Sequence, residues 1–276
     1  MASAVFPLVI KFLNSTDGRD KVAKFIQYGS RYANHRLQIN KARSGWVSVF
    51  PKAETAASSG RKLFRLGKSI NFLARILKNN EKNATLRRIS IAGDLGLVWY
   101  FIFDNISFLS SLGVFRYQPP TVTRIGALLL FPSQLHLFPS QLHTFSWRFI
   151  GALGWFVSLV CAIALDSRQM LLERIAQSRL AERQNQLLSK LSVIHTGDSD
   201  ADGVKAVETE LVVVRQGLRN SHVKMQALLL NQIKNWADLQ IARSLAFPKF
   251  KSSPGVLGVC GVISALVGAY QVWPTS

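Results

Sequence analysis

The sequence predicts a mainly α-helical integral membrane protein, with amphipathic helices at the interface and about two transmembrane helices. Three observations carry this reading. Residues 149–165, FIGALGWFVSLVCAIAL, and residues 254–273, PGVLGVCGVISALVGAYQVW, hold no charge. A bilayer core about 30 Å thick is crossed by about 20 apolar helical residues, with about 17 a workable minimum, and both runs carry the Gly, Ser and Ala that membrane helices use for close packing. The third observation is charge. The 276 residues hold 34 Lys and Arg against 15 Asp and Glu, a net +19.

The basic excess is concentrated at the start. Residues 1–90 contain 18 Lys and Arg and four acids, Asp17, Asp20, Glu54 and Glu81. Beside apolar spans, such charge is attracted to anionic phospholipid, with about 1 kcal/mol gained per Lys or Arg near the surface. Nucleic acid competes for the same charge, but the chain has no zinc-finger, RRM or KH pattern, so no nucleic-acid partner is expected. The two cysteines, Cys161 and Cys260, lie inside the apolar runs and read as small hydrophobes rather than a disulfide framework. The first residues lack a basic stretch before their apolar patch, which Pro7 and Lys11 interrupt. No cleaved leader is expected, and targeting must be internal.

Residues 1–120 read as a basic, cytosolic region of amphipathic helices. Asp17 and Asp20 open a helix, along which Val22, Phe25, Ile26, Gly29 and Tyr32 recur at helical spacing. Residues 40–60, with Pro51, Ser58 and Ser59, read as a connector. A membrane-surface helix is expected over 59–80. On a helical wheel Leu63, Leu66, Ile70, Leu73, Ala74 and Leu77 fall on one side, and Arg61, Arg65, Lys68 and Arg75 on the other; Lys62 adds to the charge. No acid occurs between Thr55 and Asn80. An apolar face opposite a purely basic one suits a helix that sinks about 5–10 Å below the head groups while its cations reach phosphates.

Residues 95–115, LGLVWYFIFDNISFLSSLGVF, are apolar but carry Asp104 and Asn105 at their middle. An unpaired carboxylate there costs about 2.5–3.5 kcal/mol on insertion scales. This segment is therefore read as a helix buried against protein or lying in the interface. Residues 121–148 form a loop with a tandem LFPSQLH repeat at 130–136 and 137–143, in which Pro132 and Pro139 oppose a regular helix. His136 and His143 have no third ligand at suitable spacing.

After the span at 149–165, residues 166–253 read as a polar helical pair around an acidic loop, GDSDADG, at 197–203. Asp198, Asp200, Asp202 and Gly203 match the start of a calcium loop, but Lys205 and Thr209 break the pattern where an apolar residue and a bidentate Glu are needed. No metal or cofactor is expected. The spans carry stripes of small residues, Gly151, Gly154, Ser158 and Ala162 in the first and Gly258, Gly261, Ala265 and Gly268 in the second. Such stripes let helix backbones approach closely in lipid, so the two spans could pair with each other or with a second copy. The basic first half favours a cytosolic N-terminal side.

No P-loop, HExxH or GxSxG motif occurs, the five histidines are scattered, and no enzyme is expected. Four blocks resemble, in order, the peroxisomal peroxin-eleven family of membrane-elongation proteins: TDGRDKVAKFIQYGSR, SGRKLFRLGKSINFL, YFIFDNISFLSSLGVF and SPGVLGVCGVISALVGAYQVW. Residues 120–147 match nothing associated with that family. The resemblance implies residence in the peroxisomal membrane, elongation of the organelle by an inserted amphipathic helix, proliferation and fission. It also implies self-association and recruitment of dynamin-type fission machinery and its membrane adaptor. By matched position, Arg61, Lys62, Arg65, Leu66, Lys68, Ile70 and Leu73 would act on the membrane, and Asp104 and Asn105 would be structural. An oligomeric pore for metabolites is the alternative that the resemblance leaves open.

Overall fold

A computed structural model describes residues 2–41, 45–114, 147–194 and 201–274. Among them are eight α-helices, one short 3₁₀ turn and no strand. Helices α1 (Ala2–Asn14) and α2 (Thr16–Ile39) meet at Ser15. The Ser15 hydroxyl accepts from the Gly18 amide at 2.9 Å and donates to the Phe12 carbonyl at 2.8 Å. A side-chain cap of this kind satisfies an amide that the helix leaves open. Glycine is required at position 18, because a Cβ there would stand 2.1 Å from the Phe12 carbonyl oxygen.

The stretch read as a connector is instead helical. Helix α3 (Trp46–Phe64) includes Pro51 and stacks Trp46 on Phe50 at 5.7 Å. The expected helix over 59–80 is also divided. α3 ends at Phe64, Gly67 takes the left-handed conformation at φ 73°, and α4 (Lys68–Leu77) begins. Glycine adopts that conformation without a Cβ clash, so a uniform helical wheel across residues 59–80 was too simple.

Helix α5 (Ala84–Ser111) is capped by Asn83, which accepts from the amides of Thr85 and Leu86. Helix α6 (Trp147–Ile194) continues the first apolar run into polar sequence, and α7 (Ala201–Ala246) returns. The 3₁₀ turn Pro248–Phe250 leads to α8 (Pro254–Gln271), capped by Ser253. The LFPSQLH repeat with His136 and His143, and residues 195–200 with Asp198 and Asp200, lie outside the described residues.

The chain divides into two compact units, Met1–Ile163 with Ile233–Ser276, and Ala164–Gln232. The second is an antiparallel hairpin from parts of α6 and α7. Leu187, Leu211 and Val214 are buried in it, flanked by Leu180, Val207 and Leu218. The Ser221 hydroxyl donates to buried Glu173 at 2.7 Å, and Arg183 pairs with Glu210 at 2.6 Å.

In the first unit α2 is central. One face packs antiparallel on α8, another on α3, and α4 lies along α5. Three helices among the described residues are long and apolar enough to cross a membrane: Ala84–Ser111, Phe149–Val193 and Pro254–Gln271. The fold is thus mainly α and membrane-spanning in character. Helix α5, whose Asp104 counted against a span and which also carries Asp94, joins the two runs legible in the sequence. Those carboxylates have partners: Asp104 lies 3.4 Å from Arg65, and Asp94 lies 2.9 Å from Arg75. Pairing removes much of the cost of an intramembrane charge.

Candidate membrane-facing site

The amphipathic region divides its residues in an unexpected direction. Leu63, Leu66, Ile70, Leu73 and Leu77 are all exposed, from 42% at Leu66 to 86% at Leu77. The basic residues opposite them turn toward protein. Arg61 is buried, donating to Asp20 at 3.1 Å and to Gln27 at 2.7 Å. Arg65 donates to the Tyr100 hydroxyl at 2.6 Å and lies 3.8 Å from Asp20. Lys68 pairs with Asp17, Lys62 is half-buried, and the more exposed Arg75 sits 5.2 Å over the Phe72 ring while bridging to Asp94. Phe72 also stacks on Phe101 of α5 at 5.5 Å.

Charge faces the bundle and leucine faces outward. An ordinary water-soluble helix does the reverse, because it buries its apolar stripe. The arrangement has a simple cause: α2 and α5 supply Asp17, Asp20, Asp94 and Asp104, four of the protein's 15 acids, opposite four of its cations. Exposed cations lie further on. Lys78, Lys82, Arg87 and Arg88, around the α4–α5 turn, are exposed. The sequence counted them only within the general excess; nothing in a list of basic residues tells which are already paired.

The small residues form close helix contacts. On α6, a Cβ at Gly154 would stand 2.6 Å from the Gly96 carbonyl oxygen and 2.7 Å from Trp99, and one at Gly151 would stand 3.2 Å from Phe103. Ser158 is buried, and its backbone nitrogen would lie 3.1 Å from a Cβ on Gly96. Ala162 is half-buried. The α6 stripe therefore lies on α5, helped by Trp99, whose indole N–H donates to the Ile150 carbonyl at 3.0 Å.

The α8 stripe lies on α2. A Cβ at Gly258 would meet Tyr32, one at Gly261 would enter the Tyr28 ring at 1.9 Å, and one at Gly268 would touch Lys21 at 3.0 Å. Ala265 is 1% exposed between them. These partners lie within one chain, on helices the sequence did not assign to the stripes.

Lys24 belongs to the same seam. Its ammonium donates to Asp238 at 2.7 Å and to the Ser264 hydroxyl at 2.6 Å, tying α2, α7 and α8 together. The pairing of Lys24 with Asp238 is not legible in the sequence, because 214 residues separate the two. The one available hint is a lysine at position 24 within a helix that carries an apolar face. Among the described residues no group of His, Cys, Asp and Glu could hold a metal ion.

The description Peroxisomal biogenesis factor 11 (PEX11) is carried by a family model that matches residues 6–133 and 128–273. Peroxisomal membrane protein 11 homolog of Dictyostelium discoideum is 28% identical over 273 residues, covering 96% of this chain and 93% of that one. Peroxisomal membrane protein 11B of Arabidopsis thaliana is 25% identical over 268 residues, 97% and 96% of the two chains. Peroxisomal membrane protein 11A of Homo sapiens is 23% identical over 266 residues, 95% and 94%. No solved structure matches the chain.

Proposed function

The chain belongs to the peroxisomal biogenesis factor 11 family, and from that premise we propose that it reshapes the peroxisomal membrane, elongating the organelle ahead of proliferation and fission. The coarser part rests on the family itself: a biogenesis factor whose relatives are named as peroxisomal membrane proteins. The finer part rests on one observation, the outward row of Leu63, Leu66, Ile70, Leu73 and Leu77 on an element tied to the bundle by its charges. Inserting that row into one leaflet contributes roughly 1 kcal/mol per half-exposed side chain. It also adds area to that leaflet alone, which is what bends a bilayer.

In this proposal α4 acts from the cytosolic leaflet, where exposed Lys78, Lys82, Arg87 and Arg88 meet anionic phospholipid. The N-terminal side is cytosolic, the protein acts as a homo-oligomer without catalysis, and elongated membrane is handed to dynamin-type fission machinery through its adaptor. The test is imaging of the tagged, overproduced chain against a peroxisomal marker. Wild type should produce elongated, marker-positive organelles. The L66E/I70E/L73E variant should reside there without elongating them, and unchanged elongation would refute the wedge.

A further inference from the structure

We propose that α2 faces lipid: the stripe Val22, Phe25, Ile26 and Tyr32 is seated among acyl chains beside α8, and the helix does not ride on the membrane surface. The sequence places this helix in a basic cytosolic region. Its environment in the fold is different, as three independent observations indicate.

First, the outer face is free of charge over a membrane-sized length. Between Asp20 and His35 the exposed residues are Val22, Phe25, Ile26 and Tyr32. Those 16 positions rise about 24 Å in a helix, most of a hydrocarbon core of about 30 Å. Exposed polar residues resume at both ends, with Asp17 and Arg19 before the stripe and Arg36 and Gln38 after it.

Second, the charges within that stretch turn inward and are paired. Asp20 meets Arg61 and Lys21, Lys24 meets Asp238, and Arg31 meets Glu54 at 2.6 Å. Helices in lipid keep ionisable groups on the protein side and partnered. A helix at a water surface has no need of this.

Third, α2 shares depth with the spans. It runs antiparallel to α8 from His35 beside Gly255, through Tyr32 at Gly258 and Tyr28 at Gly261, to Lys21 at Gly268. The middle of that seam is also the middle of the bundle. Trp155 packs against the cluster of Tyr28, Ile241 and Leu257, and stacks on Tyr100 at 5.3 Å. Tyr100 and Gly261 lie near the centres of the candidate spans Ala84–Ser111 and Pro254–Gln271, and Trp155 lies within the charge-free run 149–165. The stripe on α2 thereby continues the exposed apolar face of α8, formed by Val259, Ile263 and Leu266. Acyl chains are the occupant that fits both.

The experiment is site-directed spin labelling of the full chain, carrying C161S and C260S, reconstituted in phosphatidylcholine/phosphatidylglycerol vesicles. Single cysteines replace Val22, Phe25, Ile26 or Tyr32, with Thr16 and Arg36 as end controls and Val259 and Leu266 as α8 references. Collision with oxygen should exceed collision with a water-soluble nickel chelate several-fold at 22, 25, 26 and 32, as at 259 and 266, and the ratio should reverse at 16 and 36. Nickel accessibility at 22–32 equal to the end controls, with α8 deep, overturns the proposal. Labels shielded from both reagents overturn it as well, because protein then covers the stripe. Shallow labels on both α2 and α8 remove the span and the proposal together. Cysteines at exposed positions leave the fold undisturbed, which near-identical circular dichroism of each variant verifies.

Discussion

The Lys24 ammonium stands 2.7 Å from an Asp238 carboxylate oxygen, joining α2 to α7 across 214 residues of sequence. Both side chains are almost wholly buried. The two have opposite fates when separated. Removing one partner leaves an uncompensated buried charge, which costs about 3–5 kcal/mol, whereas replacing both by apolar groups of similar size is often neutral or stabilising. D238L and K24M should therefore each lower the unfolding midpoint in detergent strongly. K24M/D238L should recover most of the loss. Additive losses in the double variant would mean that the pair is not a unit.

The α2–α8 seam gives a second test through two glycines. A Cβ at Gly261 would lie 1.9 Å from the Tyr28 ring, while one at Gly29, on the same helix as Tyr28, meets nothing within 4 Å. G261A should destabilise by about 1–3 kcal/mol through overpacking. G29A should be neutral or stabilising by up to about 1 kcal/mol, because alanine restricts the unfolded chain more than glycine does. Equal effects at the two positions would argue against a close seam.

Residues 149–165 and 254–273 were legible because a charge-free helical run of that length has few other uses. The start of α2 was legible because Asp17 and Asp20 favour a first turn. Helix α3 was obscured by Pro51, which the fold accommodates within the helix, and the break at Gly67 left no periodic signature. The orientation of the basic residues could not be read from a wheel. A wheel ranks positions around an axis, and it is silent on whether the surrounding solvent is water or hydrocarbon. Arg65 faces inward because Tyr100 and Asp104 wait there, on a helix whose carboxylate had looked like an obstacle to spanning.

The division between paired and exposed cations predicts the salt dependence of lipid binding. Replacing Lys78, Lys82, Arg87 and Arg88 with Gln should weaken association of the amphipathic region with anionic vesicles by about 1 kcal/mol per charge at low salt, and flatten the salt response. R61Q/R65Q should instead lower thermal stability, since it leaves Asp104 without its cation and Asp20 with Lys21 alone at 3.7 Å, and leave the salt response nearly intact. The assays are quartz-microbalance binding across a salt series and thermal unfolding.

In the proposed function, the outward leucine and isoleucine row on α3–α4 bends membrane while the inward charges hold it in place. Electron microscopy of anionic vesicles reconstituted with the full chain tests this most directly, comparing wild type with L66E/I70E/L73E at equal protein density and matched unfolding midpoint. Tubules with wild type and round vesicles with the triple variant are the expected result. Tubules of equal length and number from both would show that the row does not bend the bilayer.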